Sequence, residues 1–517
     1  MSSLAEAEGQ APARTGHPAG LYVLFGAEMW ERFSYYGMRA LLVLYLTKHL
    51  TMTRKDALDI YATYTGLVYL TPLIGGFLAD KVLGQRKAIL IGGIVMAMGH
   101  FAMAFEHLLY LALGLLILGN GFFKPNISTM VGQLYPQGDA RRDGAYTIFY
   151  MGINLGAFFS PLVCGTLGES ENFGWHYGFG AAGVGMVFGL TSFLVFQRHL
   201  VGGYPPGREE PRLRVIDWVH VLLFSLGCVA VAYGAIEAWP YLRPFKSYLL
   251  YGLGSLVPIG LLYMTYRLAA TAGTPEGVDW QRIAVIVIVG IFSIVFWMGF
   301  EQAGGTLTLF ADARTHRAVP AFMASIKIPP INLGILKVPA IRPFPSPFPA
   351  SYFQSVNPFL IFLMAPLFSM LWTGLDRTRF KLNSAAKMGI GLLLLGLGFV
   401  VMAGADRTAT AAADGKAGAG WLASVYFLFT MGELCLSPIG LSLVNKLAPA
   451  RLASMMMAIW FLSTAFANYL AGKLESIVET YHNHFNLWEF LIVTSVVPGL
   501  ILLALTPILK KMGHGRI

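Results

Sequence analysis

The sequence predicts an all-α integral membrane protein whose fourteen transmembrane helices are arranged as 6 + 2 + 6. Three observations carry that expectation. The 517 residues are 56% hydrophobic and only 12% charged, with 58 glycines, a departure from soluble averages toward polytopic membrane chains. Apolar runs of about 20 residues recur from end to end, each long enough to cross a hydrocarbon core of roughly 30 Å. Finally, the fourth and twelfth runs repeat one another: Gly119, Pro125, Leu134 and Pro136 match Gly432, Pro438, Leu447 and Pro449 at a constant offset of 313 residues.

Taken in order, the predicted spans begin near Leu21, Ala57, Lys87, Leu109, Gly144, Trp175, Val215, Phe245, Ile283, Tyr352, Ser384, Gly420, Leu452 and Leu487. Gly26 and Glu28 match Gly299 and Glu301 at a second offset, as expected of a duplication whose loops differ in length. The predicted organisation is a tail at 1–20, a six-helix half at 21–200, a linker at 201–279 with a two-helix insert at 215–270, a second half at 280–512 and a tail at 513–517. The insert carries few charges and reads as a packing element. The Pro-rich stretch from about Ala311 to Ala350 reads as an irregular outer loop.

Basic residues set the orientation. Placing the N-terminus in the cytoplasm puts Lys81, Arg86, Lys87, Arg141, Arg142, Arg198, Arg377, Lys381, Lys446, Lys510 and Lys511, among others, on the cytoplasmic side, so both termini are expected inside. Residues 1–20 have no apolar core of a signal peptide, and the first span is expected to stay attached. Topology accounts for the formal net charge of +10, and no nucleic-acid partner is expected. Cys164, Cys228 and Cys435 are scattered without CxxC spacing, which argues against a disulfide framework or zinc site. No HExxH pair or GxSxG elbow occurs, so an intramembrane enzyme is not expected, and no cofactor or metal is implied. His100, His107 and His176 fall near span ends, where interfacial exposure is the expectation.

Seven ionisable residues nevertheless lie inside the apolar runs: Glu28, Glu31, Arg32 and Arg39 on the first, then Lys124, Glu301 and Glu433. At about 2.5–3.5 kcal/mol for each charge at the bilayer centre, unpaired they would cost roughly 17–25 kcal/mol, more than a typical folding stability of about 5–15 kcal/mol. They must pair or line a polar chamber, and such groups mark a solute pathway. On a helix, Glu28, Arg32, Tyr35 or Tyr36, and Arg39 fall along one stripe with Glu31 beside it. At 1.5 Å per residue Arg39 and Glu301 reach similar heights, and Lys124 and Glu433 both reach the midplane on repeat-related helices, each near a proline, Pro125 or the Ser437-Pro438 pair.

Counting signs, the first half offers Arg32, Arg39 and Lys124 against Glu28 and Glu31, 3 − 2 = +1, and the second offers Glu301 and Glu433, −2. A bipolar chamber of this kind complements a zwitterion. The total of −1 becomes zero when one glutamate takes a proton, so protons are the expected coupling ion, with Glu301 alternating between Arg39 and a proton. Tyr69, Asn154, Asn357, Trp460 and Phe461 fit core packing as readily as a lining role when taken alone.

The run Glu28-x-x-Glu31-Arg32-Phe33-x-Tyr35-Tyr36 resembles the first-helix signature of the proton-dependent oligopeptide transporter family, within the major facilitator superfamily. Further resemblances are Gly75-Gly76-Phe77-Leu78-Ala79-Asp80-Lys81 with Gly84-x-Arg86-Lys87, and Gly119-x-Gly121-Phe122-Phe123-Lys124-Pro125-Asn126-Ile127-Ser128. Phe149-Tyr150-Met151-Gly152-Ile153-Asn154-Leu155-Gly156, Phe353-Gln354-Ser355-x-Asn357-Pro358 and Gly432-Glu433-Leu434-x-x-Ser437-Pro438 extend the likeness, which covers about residues 21–512. The resemblance implies a major facilitator fold in a bacterial inner membrane, a monomer surrounded by lipid, moving di- and tripeptides inward with protons. By the same resemblance Glu433, Asn357 and Asn154 hold the peptide amino terminus, with Ser437 beside them, and Arg39, Lys124, Tyr35 and Tyr36 engage its carboxylate. Trp460, Phe461 and Tyr69 line side-chain pockets, and Glu28, Glu31, Arg32 and Glu301 couple protons. Nitrate or an amino acid on the same scaffold is the alternative cargo. Two departures stand out: Phe300 precedes Glu301 where a polar residue is common, and a Pro-rich insert around Phe322–Pro347 lengthens the following loop.

Overall fold

The computed structural model describes residues 16–136, 139, 141–200, 203, 277–319, 321–333, 336–338, 345–378, 381–449, 453–480 and 486–514. The insert predicted at 215–270 lies outside the described residues. What is described is an all-α membrane fold. In the N-terminal group, α1 is Ala19–Leu44, α2 Arg54–Leu70, α3 Pro72–Leu78, α4 Gln85–Ala102, α5 Leu109–Gln133, α6 Arg141–Gly168 and α7 Trp175–Phe196. In the C-terminal group, α8 is Gly277–Phe300, α9 Thr306–Arg314, α10 Val356–Asp376, α11 Ser384–Ala411, α12 Ala419–Leu447, α13 Ala453–Thr480 and α14 Leu487–Met512. Among the described residues, eight helical segments are long and apolar enough to cross a membrane. The charges on α1 keep it out of that group.

Local chemistry places the boundaries. Thr53 caps α2 by accepting from the Asp56 N–H at 3.2 Å, and the side chains of Asn383 and Asn486 cap α11 and α14. Asp139 accepts from the backbone N–H and the guanidinium of Arg141 at the start of α6, and that cation holds its carboxyl down at about 2. Pro72 divides the second predicted span into α2 and α3. The ninth predicted span is also broken, because Gly304 and Gly305 unwind the chain between α8 and α9 and leave Glu301 in a tight 3₁₀ turn.

Within each group the helices pack closely: α1 against α6 and α7, α4 against α5, and α11 against both α12 and α14. Two repeat-related glycines make equivalent approaches. A Cβ on Gly119 would lie 2.6 Å from the Gly92 carbonyl oxygen of α4, and one on Gly432 would lie 2.8 Å from the Gly391 carbonyl oxygen of α11. The sequence repeat therefore encodes the same helix contact twice.

The groups meet along α2 with α13 and along α6 with α10. The outer-loop expectation needs correction. Between α9 and α10 lie a short helix, Ala321–Ala324, and a hairpin of β1, Ile331–Leu333, with β2, Leu336–Val338. Pro content suggests an irregular loop, but β1 and β2 pair antiparallel with Ile331 opposite Val338 and Leu333 opposite Leu336.

Candidate functional site

α1 carries the densest part of the site. Gly156 lets α6 approach so closely that a Cβ there would overlap the Met29 carbonyl, which fixes the stripe containing Arg32. Arg32 donates from Nε and Nη2 to Glu31 at 2.5 and 2.6 Å, and its Nε lies 3.4 Å from Glu28. Glu31 also accepts from Asn120 Nδ2 at 3.2 Å, and Glu28 accepts from Lys124 Nζ. Glu28 and Glu31 are fully buried, so the carboxylates are held by cations within the N-terminal group. The Arg32 guanidinium lies 4.9 Å from the Tyr35 ring centroid and 5.9 Å from that of Tyr36.

One helical turn beyond Tyr35 and Tyr36, Arg39 crosses to the other group. Its Nη2 donates to Glu301 and its Nε donates to Tyr61 Oη at 2.6 Å. Gly304 leaves the space that Tyr61 and Arg39 occupy. Gln302 donates to the Ala471 carbonyl at 2.8 Å, and Tyr426 to the Ala303 carbonyl at 3.2 Å, so the unwound turn around Glu301 is anchored from α13 and α12.

Glu433 is held differently. It accepts from Asn357 Nδ2 at 2.8 Å, and the same amide donates to Thr430 Oγ1 at 3.0 Å. Among the described residues no cation pairs with Glu433. Tyr36 lies within electrostatic reach of Arg32, Arg39, Glu301 and Glu433, and Tyr150 within reach of Glu433 and Tyr36. Asn154 donates to the Tyr150 carbonyl at 3.0 Å. Tyr69 is half-buried within reach of Tyr35, Tyr36, Glu301 and Arg39. Tyr36 thus lies near charges of both helix groups.

Trp460 is buried against Gly440, where a Cβ would overlap the indole, and Ser437 is half-buried on α12. The side chain of Phe461 lies outside the described residues. His100 corrects an expectation. It is fully buried, its Nε2 2.5 Å from Ser34 Oγ, because α4 packs behind α1 at that level; His107 and His176 are exposed as expected.

Two further charges are buried beyond the seven read from the sequence. Asp59 on α2 and Lys473 on α13 pair at 2.8 Å, both buried, and Arg54 with Glu475 reinforces the same interface. The corrected sums are Arg32, Arg39 and Lys124 against Glu28, Glu31 and Asp59, 3 − 3 = 0, and Lys473 against Glu301 and Glu433, 1 − 2 = −1. The total stays at −1. A cavity of about 690 Å³ lies elsewhere, lined by apolar residues such as Trp30, Phe33, Phe159 and Phe188, and takes in none of these charges. Among the described residues no group of three or more His, Cys, Asp or Glu side chains is arranged to hold a metal ion.

Known proteins resemble this chain along most of its length. The model of the POT family matches residues 86–341 and 347–490. The di-/tripeptide transporter of Lactococcus lactis subsp. cremoris is 33% identical over 520 aligned residues, covering 97% of this chain and 98% of the relative. A crystal structure of a mutant peptide transporter POT in complex with alafosfalin superposes with a TM-score of 0.77 at 34% identity, covering 96% of each chain. A POT family transporter in complex with 5-aminolevulinic acid gives a TM-score of 0.78 at 30% identity, covering 96% of this chain and 98% of that one. With a family model matched over most of its length and relatives aligned from end to end, this multi-pass membrane protein belongs to the POT family of transporters.

Proposed function

We propose that this chain is a proton-coupled symporter that imports di- and tripeptides by alternating access across a bacterial inner membrane, both termini cytoplasmic. The arrangement is fourteen helices in a 6 + 2 + 6 order, with halves at 21–200 and 280–512 and the insert at 215–270 between them. One observation carries the reading. Glu433 is a buried carboxylate held by a neutral amide, so it retains full attraction for an ammonium group, while Arg32, Arg39 and Lys124 of the opposite half each already hold a carboxylate.

A zwitterionic peptide fits that asymmetry. Its amino terminus docks at Glu433 and Asn357, with Asn154 and Ser437 beside them, and its carboxylate reaches for Arg39 and Lys124 among Tyr35 and Tyr36. Trp460, Phe461 and Tyr69 bound the side-chain space. To take a cation, the substrate carboxylate must displace a glutamate, and a carboxylate deprived of its cation in a low-dielectric chamber is neutralised by a proton. Glu301, Glu28, Glu31 and Arg32 therefore link substrate occupancy to protonation, and protons are the coupling ion.

One set of ties between the groups, Arg39–Glu301, Lys48–Asp312, Arg54–Glu475 and Asp59–Lys473, lies near the end of α1 and the start of α2. With the N-terminus inside, that end faces outward and these ties close the outer mouth. A proton entering down 100 mV contributes about 2.3 kcal/mol, which supports accumulation of cargo.

A competition screen tests the proposal. Unmodified di- and tripeptides should compete with proton-driven uptake, N-acetylated peptides and nitrate should not, and Glu433→Gln should abolish the difference between free and acetylated amino termini. Equal competition by nitrate would remove the zwitterion reading. The relative bound to 5-aminolevulinic acid favours a second cargo, a short amino acid with widely separated charges, and the same screen includes it.

A further inference from the structure

Glu169 directly follows α6 in the N-terminal group, yet among the described residues the hydrogen bonds and ion pair of its carboxylate all reach the other group. Its Oε2 accepts from the Ala350 N–H at 2.9 Å, and its Oε1 accepts from the Ser351 N–H at 3.1 Å and from Ser351 Oγ at 2.6 Å. Arg317 Nη1 lies 3.9 Å away, and the Glu169 side chain is only 8% exposed. Ala350 and Ser351 open the helical segment Ala350–Asp376, whose first turns are 3₁₀. The carboxylate thus satisfies the free N–H groups at the start of a helix from the opposite side of the boundary.

Two further rungs run down the same seam. Thr166 Oγ1 and Tyr352 Oη lie 2.6 Å apart, and Ser355 Oγ donates to the Phe158 carbonyl at 2.8 Å. Gly165 permits the approach, because a Cβ there would overlap Ser351 Oγ. Asn357, which donates to Glu433, stands two residues past Ser355. Fixing the first turns of this helix therefore fixes the height and rotation of Asn357.

We propose that Glu169 is a positioning residue: by capping the helix that bears Asn357, it sets the Asn357–Glu433 pair for the peptide amino terminus only while this end of the boundary is closed. The inference rests on the reading of Glu433 as the ammonium site. Recognition and closure are thereby one event, because opening the seam releases the cap.

The test uses the full-length protein in liposomes, with Cys164, Cys228 and Cys435 replaced by alanine and spin labels at Asn172 and Ser346. Glu169→Gln, which keeps the volume but loses the charge on the cap, should raise the ratio of long to short label separations about tenfold and raise the counterflow KM for a dipeptide by a similar factor. Glu169→Asp should recover part of both shifts. A merely structural role would lower the amount of folded, active protein at constant KM, and an unchanged distance distribution with unchanged KM would overturn the assignment. Glu433→Gln separates the two readings. It should leave the label distances as in the parent and lose dipeptide binding, whereas retained binding would defeat the ammonium site while the Glu169 distance shift still reports on the seam.

Discussion

Arg39 holds Glu301 across the boundary between the two helix groups, and Tyr61 Oη takes the remaining edge of the same guanidinium at 2.6 Å. A planar fork serves both partners at once, which a lysine ammonium cannot reproduce. Arg39→Lys should therefore lower proton-driven uptake by about tenfold or more even though the charge is kept, as initial rates in liposomes would show. A rate equal to the parent would mean that Arg39 acts as a point charge.

Arg32 makes the same demand within one group. It meets Glu31 through two donors and keeps Glu28 at 3.4 Å. Arg32→Lys is expected to leave one buried carboxylate oxygen without a partner and to lower thermal stability as well as uptake, a loss of about 1–3 kcal/mol for each group left unsatisfied. Thermal unfolding in detergent, read beside uptake, checks both halves of that expectation.

Asp59 and Lys473 form a buried pair that joins α2 to α13. Asp59→Asn leaves the ammonium buried with its counter-charge gone and should destabilise the protein by about 3–5 kcal/mol, whereas the double replacement Asp59→Asn with Lys473→Met should recover most of that loss. Unfolding midpoints of the four proteins in a double-mutant cycle measure the coupling directly. Additive losses would show that the two side chains do not depend on each other.

Gly472 tests closure by shape rather than charge. A Cβ at this position would overlap Ala62 and come within 2.9 Å of the Leu58 carbonyl oxygen, so α13 could not reach α2. Gly472→Ala should hold the two groups apart at this end and reduce transport about tenfold or more, with labels across the α2–α13 boundary reporting longer separations. Unchanged separations would show that the helices adjust without loss.

Much of the site was legible because the signal is local. Glu28, Glu31, Arg32, Tyr35, Tyr36 and Arg39 share one helix, so spacing alone sets their stripe, and rise per residue was enough to bring Arg39 level with Glu301. Pairings between distant helices were not. Asp59 and Lys473 each lie in a less apolar run, where only a count of charges across every run finds them. Glu169 gave no signal at all, since an acidic residue at a span end is ordinary until the helix it caps is known. The break at Glu301 was written in Gly304-Gly305, but periodicity does not register an interruption of one turn. His100 was misplaced for a related reason: nearness to a span end measures depth, and burial depends on which neighbour covers it.

Whether Glu301 alternates between Arg39 and a proton is decided by one comparison. Uptake of a labelled dipeptide into liposomes would be measured under an imposed pH gradient and, separately, as counterflow without one, for the parent and for Glu301→Gln. The variant should lose gradient-driven accumulation entirely while its counterflow stays within roughly threefold of the parent. Accumulation that still follows the gradient in Glu301→Gln would contradict it.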